Sequence, residues 1–438
     1  MSYREIVSGA VVRWAAVAVG ARTPVAAAPL ALVFLVRDRP GGYTLGAVLA
    51  AAYVAGEIAG APLLGMRLRP ERARPHLAAG LAVGALAFTA LGTLPDAHPA
   101  ALGAFAFLAG AAPAASPGGL RAMLTSLVPE RAAAQALAVE SMLTFGVWAV
   151  APAAVTGLAL GVSAALPLLL AGVLMASSAV GLWMLPAGWE SDAGDRGGES
   201  MARILVRAWP VFVTGAASLS MLALAELVLP ALLEQRGIEV GWAGPLLAGL
   251  AVGSAVGSFV YGLRRWPGRL RTQSMVLMFA VSGCLALVAV LPGVWWLLAA
   301  LLVAGLLQAG AMLTRNLSLR EVLPPSALAA GYSVMYASVG AGYAASGSLA
   351  GGLLSVVSPS TAILAGVGLG VVLTVIGVLG EVKPVGAEAG RAEAGSVEAG
   401  HVAAGRVETG RVETAGSAGG DVTEGAAVRG GGDPDRCL

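Results

Sequence analysis

Lysine is almost missing: in 438 residues it occurs once, at Lys383, so the basic residues are otherwise arginine. No glycine-rich loop can therefore carry the G-x-x-x-x-G-K-S/T lysine that cradles nucleotide phosphates, which excludes an ATP-driven pump. Charge of either sign is scarce, at 12 % of residues against 57 % hydrophobic, with a mean hydropathy of +0.81. Such a chain is too apolar for a soluble core and too poor in charge to cover one, so a bilayer is its expected surrounding. The three histidines, His76, His98 and His401, lie in loops or the tail without metal-ligand spacing, and neither a metal nor another cofactor is expected. Cys284 in an apolar run and Cys437 in a polar tail imply no disulfide framework. A net charge of +2, with arginines in short turns and not on an aromatic-lined basic face, argues against nucleic acid as a partner. No Ser/His/Asp arrangement stands out, and an enzyme is not expected.

What the sequence does contain is a repeat. The stretch GEIAGAPLLGMRLRP, from Gly56 to Pro70, returns in changed form as GSAVGSFVYGLRRWP, from Gly253 to Pro267. Gly56, Gly60, Gly65, Arg67 and Pro70 recur at constant offset as Gly253, Gly257, Gly262, Arg264 and Pro267. Further on, Gly110, Pro113 and Pro129 align with Gly305, Gln308 and Pro324. Two halves of one design are joined head to tail.

Apolar runs long enough to span ~30 Å of hydrocarbon fall at 12–36, 44–66, 76–95, 99–127, 134–160 and 163–186, then at 207–231, 241–263, 272–292, 294–317, 328–356 and 358–380. This predicts an all-α membrane protein with 12 transmembrane helices in two pseudo-symmetric six-helix bundles, 1–186 and 207–380. Residues 187–206 form a polar loop between them, and 381–438, rich in units such as EAGRA and ETGRV, reads as a disordered low-complexity tail. The N-terminus, with Arg13 and Arg22 inside its apolar run, reads as a retained first span and not as a signal peptide. Placing both termini in the cytoplasm puts Arg67, Arg69, Arg72, Arg74, Arg131, Arg196, Arg203, Arg207, Arg264, Arg265, Arg269, Arg271 and Arg320 inside. Only Arg37, Arg39 and Arg236 then lie outside, as the retention of cations in cytoplasmic loops requires. Trp14, Trp183, Trp189, Trp209, Trp242 and Trp266 fall near helix ends, as in an interfacial belt.

Parallel six-span repeats are a mark of one class of secondary transporter. With the cluster Gly65, Arg67, Arg69, Arg72 and Arg74, echoed after Gly262, the chain resembles the major facilitator superfamily over about residues 9–380. The cluster is similar to that family's loop motif between helices 2 and 3, with Arg69 where the motif is acidic and Arg72 where it has glycine. The resemblance implies a central cavity lined mainly by helices 1, 4, 7 and 10 and alternating access by rocking of the two bundles. In the fifth span Ala151, Pro152, Val155 and Thr156 keep only the proline of the glycine-rich segment found in proton-linked exporters of the family.

Ionisable residues inside the spans are the sharpest functional pointers, since each costs at least ~2.5–3.5 kcal/mol near the bilayer centre unless paired or hydrated. Arg22 and Glu57 sit at similar depth, and they are expected to pair, either as a proton-exchanging cavity pair or as a static clamp between helices 1 and 2. Glu226 is the second proton-carrier candidate, or else a snorkelling carboxylate. Arg121 and Glu140 are expected to meet as a mainly structural pair, while Arg315 and Asn316 read as an anchor at the interface. Gly65, Arg67, Gly262 and Arg264 are expected at helix-pair or gating positions. Tyr53, one turn before Glu57, Pro113, Gln308 and Tyr336 are candidates for the substrate cavity, the alternatives being a structural kink for Pro113, a bond to a neighbouring helix for Gln308 and packing for Tyr336.

The sequence therefore points to a monomeric multi-pass secondary transporter of the cytoplasmic membrane, expected to move a small molecule with protons as co-substrate. Spans rich in Ala, Val, Leu and Met lean toward antiport-driven efflux of a lipophilic or drug-like compound or metabolite. Import of a nutrient is the alternative within the class. A non-transporting scaffold or sensor on the same fold is the alternative outside it.

Overall fold

The structure, a computed structural model, describes residues 8–40, 42–187, 199–264 and 266–381. Most of the expected tail, and residues 188–198 of the expected loop with Trp189 and Arg196, lie outside the described residues. Among the described residues the regular structure is entirely helical. The first half holds α1 (Gly9–Val36), α2 (Gly42–Arg67), α3 (Ala73–Thr93), α4 (Pro99–Ala111), α5 (Ser116–Ser126), α6 (Ala133–Gly161) and α7 (Leu166–Gly181). The second holds α8 (Met201–Arg207), α9 (Trp209–Gln235), α10 (Ala243–Leu263), α11 (Leu270–Val290), α12 (Val294–Val322), α13 (Leu328–Leu354) and α14 (Pro359–Gly380).

Among the described residues eleven spans, counting α4 and α5 as one, are long and apolar enough to cross a membrane. With α13, whose 27 residues are diluted by Gly, Ser and Tyr, they make up the expected twelve. Helix starts carry local signals. The Ser8 hydroxyl accepts from Val11 N at 3.3 Å, that of Ser358 from Thr361 N at 3.4 Å, and proline opens α4, α5, α7, α9 and α14, where a missing N–H costs nothing. The short α8, capped by Ser200, was not foreseen; it turns the chain into α9 from what reads as linker.

The fourth span breaks where its prolines stand. α4 ends at Ala111 and α5 begins at Ser116, with Pro117 in its first turn. The freed groups are taken up locally: Ala114 N donates to Ala111 O at 3.4 Å and Ser116 N to Pro113 O at 2.8 Å, and Pro113 to Gly119 are all buried. Irregular backbone at membrane depth survives because it is enclosed by protein.

The repeat is visible in how the helices cross. Gly56 and Gly60 of α2 lie against the backbone of Phe107 and Ala111 in α4, and Gly110 of α4 lies against the Tyr53 carbonyl. In the second half Gly253 and Gly257 of α10 meet Leu302 and Leu306 of α12, and Gly305 meets the Leu250 carbonyl, position for position. A Cβ on Gly257 would stand 2.7 Å from Leu306 Cα, so only glycine permits this approach. Spacing by small residues replaces the hydrophobic drive that lipid does not provide.

The two halves meet through α13 against α2 and α5, and through α6 against α10. Ser333 of α13 sits over Gly65 and Gly118, and Leu137 and Ala138 of α6 cluster with Tyr261 and Leu313. All of these contacts lie toward the end that carries the exposed Arg67, Arg69 and Arg264. Gly65 and Gly262 are both buried there. At the opposite end, Arg39 pairs with Asp96 at 2.8 Å, and Arg236 holds the last carbonyls of α11, Val288 and Ala289, at 3.0 and 2.7 Å.

Candidate functional site

Charged and hydroxyl side chains from six helices converge where the halves meet. Arg22 of α1 is buried, at 7 % exposure, in mid-helix. Its carboxylate partner is not Glu57, as expected, but Glu140 of α6, whose Oε1 accepts from Arg22 Nη2. Arg22 Nη1 donates to Thr144 Oγ1 at 2.8 Å and to the Glu140 carbonyl at 3.4 Å. Equal depth on neighbouring helices did not decide the pairing, because α6 also packs along α1 and presents its carboxylate to the guanidinium.

The expected Arg121–Glu140 pair forms, but as part of a larger arrangement. Arg121 Nη2 donates to the same Oε1 at 2.7 Å, so two guanidiniums share one oxygen of one fully buried carboxylate. Arg121 Nη1 reaches Asn316 Oδ1 on α12 at 3.1 Å, and its guanidinium lies 5.4 Å from the ring centre of Tyr332. Tyr332 in turn donates to the Asn316 carbonyl at 3.4 Å. Arg121 thus ties the first half to the second, and Asn316, its own partner in the repeat, is no interface anchor. The neighbouring Arg315 is also buried, bonding Thr214 at 3.0 Å and Glu381 at 2.6 Å.

Glu57 of α2, part-exposed within the protein body, accepts from the Tyr336 hydroxyl of α13 at 3.1 Å. The Tyr53 ring, one turn earlier, is buried beside it, and its hydroxyl makes no hydrogen bond of ordinary geometry. Tyr336 also lies within electrostatic reach of Arg22 and Arg121. A carboxylate, a tyrosine and a doubly basic triad therefore share one region, and the carboxylate's partner stands on the opposite half.

The other expected residues lie elsewhere. Pro113 lays its ring against Gly84 of α3. Gln308 is closed off inside the second half, accepting from Ser218 of α9 at 3.0 Å. Glu226 is half-buried on α9, has no ion-pair partner among the described residues, and lies within electrostatic reach of Tyr343. Trp14 is no belt residue: it is fully buried, donates from Nε1 to the Leu120 carbonyl at 2.7 Å and flanks Arg22 at 5.9 Å. Trp183, Trp209 and Trp266 are exposed, as a belt requires. Among the described residues, no group of three or more His, Cys, Asp and Glu side chains is placed to hold a metal ion.

No protein-family model and no curated protein matches the sequence. Solved structures do match. The human organic anion transporter MFSD10 superposes with a TM-score of 0.65 at 14 % identity, over 86 % of this chain and 100 % of that one. The fucose:proton symporter of E. coli gives a TM-score of 0.67 at 13 % identity, over 85 % and 98 %. A bacterial homologue of the iron transporter ferroportin in an outward-facing state gives 0.66 at 17 % identity, over 85 % and 97 %.

Proposed function

We propose that this chain, which has the major facilitator fold, is a secondary active transporter that moves a small molecule by alternating access, with Glu57 exchanging a proton. The observation that carries the proposal is the Glu57–Tyr336 hydrogen bond. It joins a carboxylate on one half to a hydroxyl on the other, so rocking of the halves must change what the carboxylate touches. An ionised carboxylate inside an apolar body is costly, and losing its donor raises that cost, so its protonation is tied to the conformation.

The arginine-rich end is then the cytoplasmic one, and the contacts of Gly65, Gly118, Arg121 and Asn316 close it. Opening toward the cytoplasm requires Arg121 to leave Asn316, while Glu140 stays bonded to both guanidiniums. The plainer alternative for the triad, a fixed clamp, is compatible with this: a hinge must hold one half rigid while the other moves. Direction follows from the sign of coupling. Export by antiport, expected from the sequence, requires the substrate to displace the proton, whereas a substrate that binds with the proton is carried along its gradient.

The test is flux into proteoliposomes, with and without an imposed pH gradient, across a panel of lipophilic compounds and sugars. Gradient-driven flux is expected in the native protein and its loss in Glu57→Gln, with downhill exchange retained. Equal gradient response in both would remove Glu57 from the proton path, and absence of any flux across the panel would favour a scaffold.

A further inference from the structure

The buried triad does not balance. Arg22 and Arg121 share Oε1 of Glu140, and Oε2 of the same carboxylate, although buried, accepts no hydrogen bond. Arg121 Nε is likewise buried and without a partner, while the Tyr53 hydroxyl is turned to Glu57 without a hydrogen bond of ordinary geometry. Within the triad one positive charge is left over, beside a guanidinium Nε that has nothing to bond. The next acid is Glu57, on the far side of Tyr336. With Glu57 ionised the four charges sum to zero; with Glu57 protonated a net positive charge stands in a poorly solvated site, which is costly unless an anion joins it.

The elements around Glu57 supply no other compensation. Tyr53 on its own helix and Tyr332, Tyr336 and Tyr343 on α13 are neutral, and α4, packed along α2, has no titratable residue. α1 adds only Arg22 and, at its far end, the exposed Arg13. The wall beside Tyr336 is apolar, built from Ala61, Ala114 and Ala337.

We infer that this site binds a small organic monoanion, a carboxylate on a largely apolar body, together with a proton on Glu57. The inference rests on the proton role given to Glu57 above and adds the substrate class. The ligand carboxylate takes the free Nε donor of Arg121 and, once Glu57 is protonated, the Tyr53 hydroxyl that faces it, and its charge offsets the excess of the triad. A cation would face two guanidiniums. Proton and anion then raise each other's affinity reciprocally, by about 5–150-fold if the coupling is of ordinary size. The pair moves without net charge, so the process is symport, driven by the pH gradient and indifferent to membrane potential.

The experiment uses the purified full-length protein in weakly buffered detergent solution with a pH-indicator dye. Straight-chain monocarboxylates from acetate to decanoate and benzoate are added, and separately tetraphenylphosphonium and alkyltrimethylammonium ions. The expected result is saturable proton uptake with a carboxylate, approaching one proton per chain, absent in Glu57→Gln and weakened at least about 5-fold in Arg121→Gln. Because the primary reading is made on the native protein, poor folding of a variant leaves it standing. Proton release on adding a cation would overturn the anion assignment while keeping Glu57 as the proton carrier. Carboxylate binding without proton uptake would overturn joint binding, and no response to either class would overturn the inference, the proton role of Glu57 being decided separately by the gradient-driven flux above.

Discussion

Replacing Glu140 with glutamine removes the single negative charge on which Arg22 and Arg121 converge, while keeping the shape of the side chain. Two guanidiniums sharing one oxygen lie roughly 6 Å apart, and at an effective dielectric of ~20 their repulsion is about 3 kcal/mol. Removing the carboxylate exposes that repulsion and also withdraws two charge-assisted hydrogen bonds, the one from Arg121 being 2.7 Å long. A loss of about 3–5 kcal/mol is expected for breaking such a buried pair. Arg22→Gln acts differently, because Arg121 and Glu140 remain as a neutral pair. The double variant Arg22→Gln with Glu140→Gln leaves one uncompensated guanidinium where Glu140→Gln alone leaves two. Thermal unfolding followed by intrinsic tryptophan fluorescence should therefore rank Arg22→Gln as most stable, the double variant second and Glu140→Gln last. A second mutation that rescues the first is the signature of two bases on one acid. If the double variant melted below Glu140→Gln, or the two losses simply added, the shared-oxygen arrangement would be refuted.

Gly257→Ala, whose new methyl would stand 2.7 Å from Leu306 Cα, should cost about 1–3 kcal/mol by forcing α10 from α12. Gly368→Ala on α14, with open space around it, should be neutral or slightly stabilising in the same melting assay. Ser218→Ala removes the donor to Gln308 and should lower stability by about 1 kcal/mol, part of which Gln308→Leu in the same chain should restore. Asn316→Ala removes the acceptor of Arg121 Nη1 and should raise the labelling rate of a cysteine placed at Ser333 in vesicles whose arginine-rich end faces the reagent. An unchanged rate would mean that this bond does not hold the end closed.

The fold was largely legible because membrane spans announce themselves by length and composition, and because glycines that let backbones touch had to recur with the repeat. Gly56 and Gly253, or Gly110 and Gly305, mark the same crossing in each half. The broken fourth span could be read from its prolines. The pairing of charges was less legible, since depth along a helix follows from counting but the face a side chain presents depends on how three helices pack. Arg22 was matched to Glu57 on depth, whereas its rotation about α1 aims it at α6. For Gln308 and Pro113 polarity and a kink left a cavity role open beside a helix-to-helix bond or a structural break, and the contacts seen are of the second kind, Gln308 with Ser218 and the Pro113 ring with Gly84. Arg121–Asn316 had a signal that went unused: the two positions are repeat partners, and residues related by a pseudo-two-fold axis meet when they lie next to it. Trp14 lacked any such signal, because its burial comes from α5 closing over the start of α1.

Alternating exposure of position 57 is the claim from which the transport reading follows, and it can be measured directly. Glu57→Cys, in a chain with Cys284→Ser and Cys437→Ser, is treated with a membrane-impermeant maleimide in sealed vesicles of each orientation. The account predicts labelling from both faces, in proportions that shift when a transported compound is present. Labelling from one face under every condition, or from neither, would contradict it.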